Sequence, residues 1–242
     1  MAKNNQKSFE SFEEKIGFSF SNKNLLKQAF IHRSYLNENP SEELSHNERL
    51  EFLGDAVLEL VITEYLYARY PEKDEGELTA LRAALVNANS LSLVGSELGM
   101  DDYLLLSKGE TKGAGRARHY IIANTFEALV GALYLDAGYN ATRAFIEKFL
   151  IPQIDYIIKN RSWQDAKSLF QERAQDEDSI TPSYNVLKEV GPDHDKLFTV
   201  GVYLGENKIA EGHGRSKQEA EQDAARNALT KKNWNNPTLI HK

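Results

Sequence analysis

The segment HNERLEFLGDAVLEL, His46 to Leu60, sets four acids, Glu48, Glu51, Asp55 and Glu59, into an otherwise apolar stretch. On a helix turning about 100° per residue, Glu51 lies about 60° from Glu48, Asp55 about 20° from it on the same side, and Glu59 about 20° on the other. All four share one stripe. Most such stripes are solvated faces, but here like charges one turn apart repel by about a few tenths of a kcal/mol per pair. Only Arg49 stands beside them, and Leu50, Phe52, Leu53, Ala56, Val57, Leu58, Leu60 and Val61 fill the rest of the circumference. That pattern predicts a helix central to its domain. An uncompensated row of carboxylates suits a hard divalent cation that takes oxygen ligands, Mg²⁺ or Mn²⁺.

A second segment, IIANTFEALVGALYLDAG, holds one acid, Glu127, with Asn124 a turn earlier on the same face. If this helix packs on the acidic one, Glu127 and Asn124 complete a cage around the ion. A helix-capping Asn and an incidental Glu are the competing reading.

The elements that must position these groups are helical from about Ser8 to Asn160. Apolar residues recur at three- and four-residue spacings, and Pro40, Pro71, Gly76, Gly99 and the loop KGETKGAGRARH punctuate them. Helices are expected near Asn22–His32, Glu48–Tyr70, Glu77–Leu98, Ile121–Gly138 and Ala141–Lys159, with no alternating strand. Residues 8–160 thus form an all-α domain. A different grammar fills 161–235: a helix over Asp165–Gln175, three short strands in PSYNVLKEV, KLFTVGVYL and NKIAEGH, and a last helix. Ser216 and Glu219 form a capping box at its start, and Ala220, Ala224, Ala225, Ala228 and Leu229 give it a small-residue face suited to a sheet. The order α-β-β-β-α makes this a small α+β domain.

The 242 residues carry a formal charge of −7. From Arg161 onward 12 Lys/Arg face 13 Asp/Glu, which leaves 17 against 23 before it, so the acidity belongs to the first domain. A polycation that coats nucleic acid by bulk attraction is excluded, and any RNA or DNA contact must be local. With no cysteine, no bilayer-length apolar run and no apolar core in MAKNNQKSFESFEEK, the expectation is a cytoplasmic protein without disulfides, thiolate metal sites or membrane attachment.

NERLEFLGDAVLEL, together with QAFIHRSYLNE, DEGELTALRAALV and ANTFEALVGALYLDAG, resembles the ribonuclease III family, endonucleases of double-stranded RNA, over about Phe9 to Lys232. The resemblance implies a helical endonuclease domain followed by a double-stranded-RNA-binding domain. It implies Mg²⁺-dependent cleavage to 5′-phosphate and 3′-hydroxyl ends with a short 3′ overhang, in the processing of ribosomal RNA precursors and structured messenger RNA. By it Glu51, Asp55 and Glu127 are metal ligands, Asn124 takes the fourth position, and Glu48 and Glu75 are further acids of the cleavage site. Phe52 matches an aromatic inserted into a pocket of the partner subunit, which implies a homodimer. Most bacterial relatives have Asp where Asn124 stands; an amide oxygen can ligate Mg²⁺ but adds no formal charge. The alternative is therefore a double-stranded-RNA-binding protein with a weakened metal site that does not cut.

Duplex RNA offers a shallow minor groove lined by 2′-hydroxyls and phosphates across the deep groove. Ser168, Gln171, Glu172 and Gln175 fall on one face of the first helix of the second domain. By resemblance Gln171, Glu172 and His194 meet the minor groove. Arg215, Ser216 and Lys217 open the last helix, where free N–H groups and the dipole favour phosphate. Gln218 replaces a Lys common at its place, so modest affinity with a shallow salt slope is expected. The loop KGETKGAGRARH adds Lys108, Lys112, Arg116 and Arg118. It is not a P-loop, and phosphate contact competes with plain solvation as its role.

Overall fold

A computed structural model describes residues 8–111, 113, 115–159, 165–192 and 196–234, without the side chain of Arg116. The chain divides into two compact units, Met1–Trp163 and Gln164–Lys242.

The first unit is helical: α1 (Phe9–Ile16), α2 (Lys23–Ala29), α3 (Arg33–Glu38), α4 (Glu48–Arg69), α5 (Glu75–Leu85), α6 (Ala88–Glu97), a 3-10 turn (Met100–Tyr103), α7 (Lys108–Thr111), α8 (Arg116–Phe149) and α9 (Gln153–Lys159). Its core packs α4 and α8 against each other and includes Leu58, Ile62, Leu66, Phe126, Leu129 and Leu133, all fully or almost fully buried. An aromatic cluster of Phe9, Phe12, Phe30 and Tyr103 closes one end.

Three boundaries depart from the periodicity, each for a local reason. The helix expected over Glu77–Leu98 is two, because Asn87 caps α6 by accepting from Ser90 N and breaks the run. The one expected over Ala141–Lys159 stops at Phe149, before Pro152, which has no N–H to donate. The break expected at Gly138 is present as a kink inside α8, where Gly138 takes a non-helical φ of 75°. Finally α2 ends at Ala29, because Ile31 pairs with Leu105 in an isolated parallel bridge.

The second unit runs α10 (Ala166–Asp178), β1 (Ser183–Val190), β2 (Leu197–Leu204), β3 (Asn207–Gly214) and α11 (Lys217–Lys231). The sheet is antiparallel in the order β1-β2-β3. Ala220, Ala224, Ala225, Ala228 and Leu229 are buried, as the small-residue face predicts. Gly212 makes that approach possible, since a Cβ there would meet Ala224 N at 2.0 Å. Lys167 pairs with Glu221 at 2.5 Å and Gln222 donates to Asp165, so the two helices lie side by side. Among the described residues no helix is long and apolar enough to cross a membrane.

Candidate metal centre and RNA interface

The acids of α4 meet Asn124 and Glu127 because α4 and α8 touch backbone to backbone. A Cβ on Gly54 would stand 1.8 Å from Glu127 O, and one on Gly131 2.2 Å from Leu50 O. Glu51 and Asp55 flank Gly54 on one helix; Asn124 and Glu127 lead up to Gly131 on the other. The reading of the sequence passed over both glycines. The signal was there: Gly inside a helix costs about 1 kcal/mol relative to Ala, so two of them in apolar helical runs need a packing reason.

The electrostatics follow from this contact. Burial, and then the charges of Asp55 and Glu51, push the Glu127 carboxyl up to about 7. Glu51 is also raised, by burial first and then by Glu48 and Asp55, while a hydrogen bond from the Asn124 amide pulls it back. Asn124 thus relieves repulsion that an Asp would add to. Among the described residues no Lys, Arg or His forms an ion pair with Glu51, Asp55 or Glu127. The donor set, three carboxylates and an amide oxygen, fits a hard divalent cation. The cage expected from the sequence is not closed, however. Among the described residues no three acidic or imidazole side chains are gathered to hold an ion.

Glu48 lies at the start of the row, half-exposed, with Arg33 Nη1 at 3.7 Å and His46 Nδ1 at 3.8 Å. Glu59 is exposed. Glu75 is exposed in the first turn of α5.

The sequence suggested that α4 is buried around its non-acidic circumference, and this needs correction. Leu50, Gly54, Val57, Leu58, Val61, Ile62 and Leu66 are buried, but Phe52 is 81% exposed, Leu60 57% and Tyr67 75%, with Ala56 exposed between them. This open apolar row adjoins the acid row.

In the second unit Ser168, Gln171, Glu172 and Gln175 are all exposed on α10. The Ser168 hydroxyl donates to Asp165, which caps the helix. Arg215, Ser216 and Lys217 are exposed at the start of α11. Ser216 Oγ accepts from Glu219 N, while the Glu219 carboxylate accepts from Arg215 N, one residue earlier than a capping box requires. His194 lies outside the described residues, as does Lys112. Of the basic segment in the first unit, Arg118 is committed elsewhere: its Nε donates to Asp101 at 2.6 Å and its side chain is mostly buried. It is not a presented phosphate contact.

Fold and site together define a two-part protein of nucleic-acid chemistry: a helical unit with a carboxylate seam, then a three-stranded α+β unit with polar helix faces. Comparison sharpens this. Residues 22–154 match the family model described as ribonuclease-III-like, and residues 166–232 match the double-stranded RNA binding motif. Ribonuclease 3 of Borreliella burgdorferi is 46% identical over 218 residues, covering 90% of this chain and 89% of that protein. Ribonuclease 3 of Enterococcus faecalis is 46% identical over 217 residues, covering 90% and 94%. Among solved structures, the nuclease domain of ribonuclease III from Campylobacter jejuni is similar at 36% identity and a TM-score of 0.55, over 61% of this chain and 96% of that one. A second structure of that domain, described as showing structural flexibility in the region involved in its dimer formation, matches at 37% identity and a TM-score of 0.54, over 60% and 99%. The chain belongs to the ribonuclease III family and is an endoribonuclease of double-stranded RNA.

Proposed function

We propose that the protein cleaves double-stranded RNA with Mg²⁺, for which Mn²⁺ substitutes, at the seam between α4 and α8. The products are 5′-phosphate and 3′-hydroxyl ends, in the maturation of ribosomal RNA precursors and structured messenger RNA. Glu51, Asp55 and Glu127 hold the ion, with Asn124 contributing its amide oxygen. When bound, Mg²⁺ activates the attacking water, neutralises charge on the phosphate oxygens and stabilises the leaving 3′ oxygen. Glu127 gives up the proton that burial favours as the site loads. Glu48, at the open end of the row, orients substrate or water, and the role of Glu75 rests on the family resemblance alone. Ser168, Gln171, Glu172, Gln175 and His194 meet the minor groove, and Arg215, Ser216 and Lys217 meet phosphate. The observation that carries this reading is the backbone contact at Gly54 and Gly131, which brings Glu127 on α8 into the field of Glu51 and Asp55 on α4.

The test is cleavage of a long RNA duplex across Mg²⁺ and Mn²⁺ concentrations. Asn124→Asp is expected to lower the half-maximal metal concentration about tenfold, since one more charge near a divalent ion is worth at least about 1 kcal/mol. If the parent is inert at every metal level while Asn124→Asp cuts, Asn124 has made this chain an RNA-binding protein that does not cleave.

The protein acts as a homodimer through the open row of Phe52, Ala56, Leu60 and Tyr67. An apolar strip of this kind marks an interaction surface, and the dimer formation described for the Campylobacter jejuni nuclease domain supports the reading. Phe52→Ala is expected to weaken the dimer by about 3 kcal/mol, roughly a hundredfold in Kd, as for a buried aromatic anchor. Sedimentation equilibrium checks it; an unchanged Kd would move the interface off α4.

A further inference from the structure

One arginine stands at the end of the acidic row. The Arg33 side chain is 73% exposed, and its Nη1 lies 3.7 Å from Glu48 Oε1. A charge-assisted hydrogen bond is shorter, about 2.7–2.9 Å, and exposed pairs of this kind add little to stability. Holding the fold together does not explain why Arg33 is where it is.

The backbone around it is nevertheless fixed with care. His32 N donates to Leu105 O at 3.0 Å, and Leu105 N to Phe30 O at 2.9 Å. Asn47 N donates to Ile31 O at 2.9 Å, and the buried Asn47 side chain donates to Ala29 O at 3.1 Å instead of capping α4. Ser34 Oγ accepts from Ser107 N, and the Glu38 carboxylate accepts from Lys108 N. One knot at the Ile31–Leu105 bridge therefore anchors three things: the start of α3 with Arg33, the residue before Glu48, and the root of the basic segment at Lys108. Their mutual positions are set by backbone hydrogen bonds together with the side chains of Ser34, Glu38 and Asn47, and none of these bonds involves the weak Arg33–Glu48 pair.

We propose that Arg33 is a substrate-positioning residue of the cleavage site: its guanidinium takes a backbone phosphate of the RNA duplex beside the one being cut. This rests on Glu51, Asp55 and Glu127 forming that site. A carboxylate row repels RNA, so a cation fixed at its edge is what brings the polyanion to it. A guanidinium matches phosphate with two parallel hydrogen bonds, a better partner than the distant Glu48 carboxylate. Glu48 holds Arg33 loosely until RNA arrives.

The experiment uses the full chain carrying Glu127→Gln to stop cleavage, with duplex RNA binding measured across KCl concentrations. Arg33→Ala is expected to weaken binding about tenfold and to make the slope of log K against log salt shallower by about 1 per protomer. Arg33→Lys retains the slope at an unchanged melting temperature, which separates lost charge from lost fold. In the cleaving protein the change falls mainly on KM and less on kcat, as for binding shared by ground and transition states. An unchanged slope overturns the proposal. So does a loss that vanishes when Glu48→Gln is added, because Arg33 would then only shield Glu48. Either result with cleavage still abolished by Glu127→Gln fails Arg33 alone; cleavage that survives Glu127→Gln fails the site itself.

Discussion

Glu127→Gln is expected to lower cleavage at saturating Mg²⁺ by about a thousandfold or more and, in the metal-free protein above pH 7, to raise the melting temperature. The loss follows from the role proposed for the carboxylate: a bound ion contributes several kcal/mol to the transition state, and each 1.36 kcal/mol is about tenfold in rate. The gain follows from the same burial. The folded-state pKa, about 7, lies above the ordinary 4.5, and Asp55 and Glu51 are the charges that face the group. The stability linked to this proton is fully present below about pH 4.5 and is lost as pH rises through about 7, because the folded state binds the proton more tightly. Gln is neutral throughout, so its advantage grows across that window and is flat above it. Melting both proteins in chelator at pH 4.5, 6 and 8 checks the sign. A variant that melts below the parent at pH 8 would show that Glu127 is stabilised by its surroundings, not strained by them. Mg²⁺ should then raise the melting temperature of the parent and leave that of the variant unmoved.

Gly54→Ala should be the most damaging one-carbon change in the first unit. Its methyl would fall 1.8 Å from Glu127 O and 2.6 Å from the attached carbon, both backbone atoms that no rotamer can move aside. Separating the helices costs about 3 kcal/mol, the upper end of the range for overpacking, or roughly 10 °C in a unit of this size. Cleavage should fall further than stability alone explains, since moving α8 away also carries Asn124 and Glu127 from Glu51 and Asp55. The sign is diagnostic. Ala is the better helix former by about 1 kcal/mol, so a variant that melts at or above the parent temperature would mean the helices do not touch there.

The acidic stripe was legible because it is a periodic pattern within one element, and the α-β-β-β-α order because each of its elements shows its own period. Ala220, Ala224 and Ala228 announced a packing face by being small every fourth residue, and the structure buries all three. What periodicity could not show was how two elements meet. Phe52, Leu60 and Tyr67 look the same in the sequence as Leu58 and Ile62, and only the position of α8 decides which row it covers. Helix ends were lost where a side chain, not a pattern, ends the run, as Asn87 does at α6. Arg118 read as a loop cation because its partner Asp101 lies in another turn.

The two rows on α4 also bear on what a chain with this face in the open adheres to. Phe52, Leu60 and Tyr67 in the open would make a newly made chain prone to adhere to any apolar surface. Asp55 and Glu59 run along the edge of that strip, both exposed, and an ill-fitting apolar surface laid across it would have to strip water from their carboxylates. In that sense the acids act as gatekeepers, and Glu59, exposed at the far end of the row, has a physical use there. Such a fence weakens wherever cations neutralise it, so stray association through the strip should be greatest under those conditions.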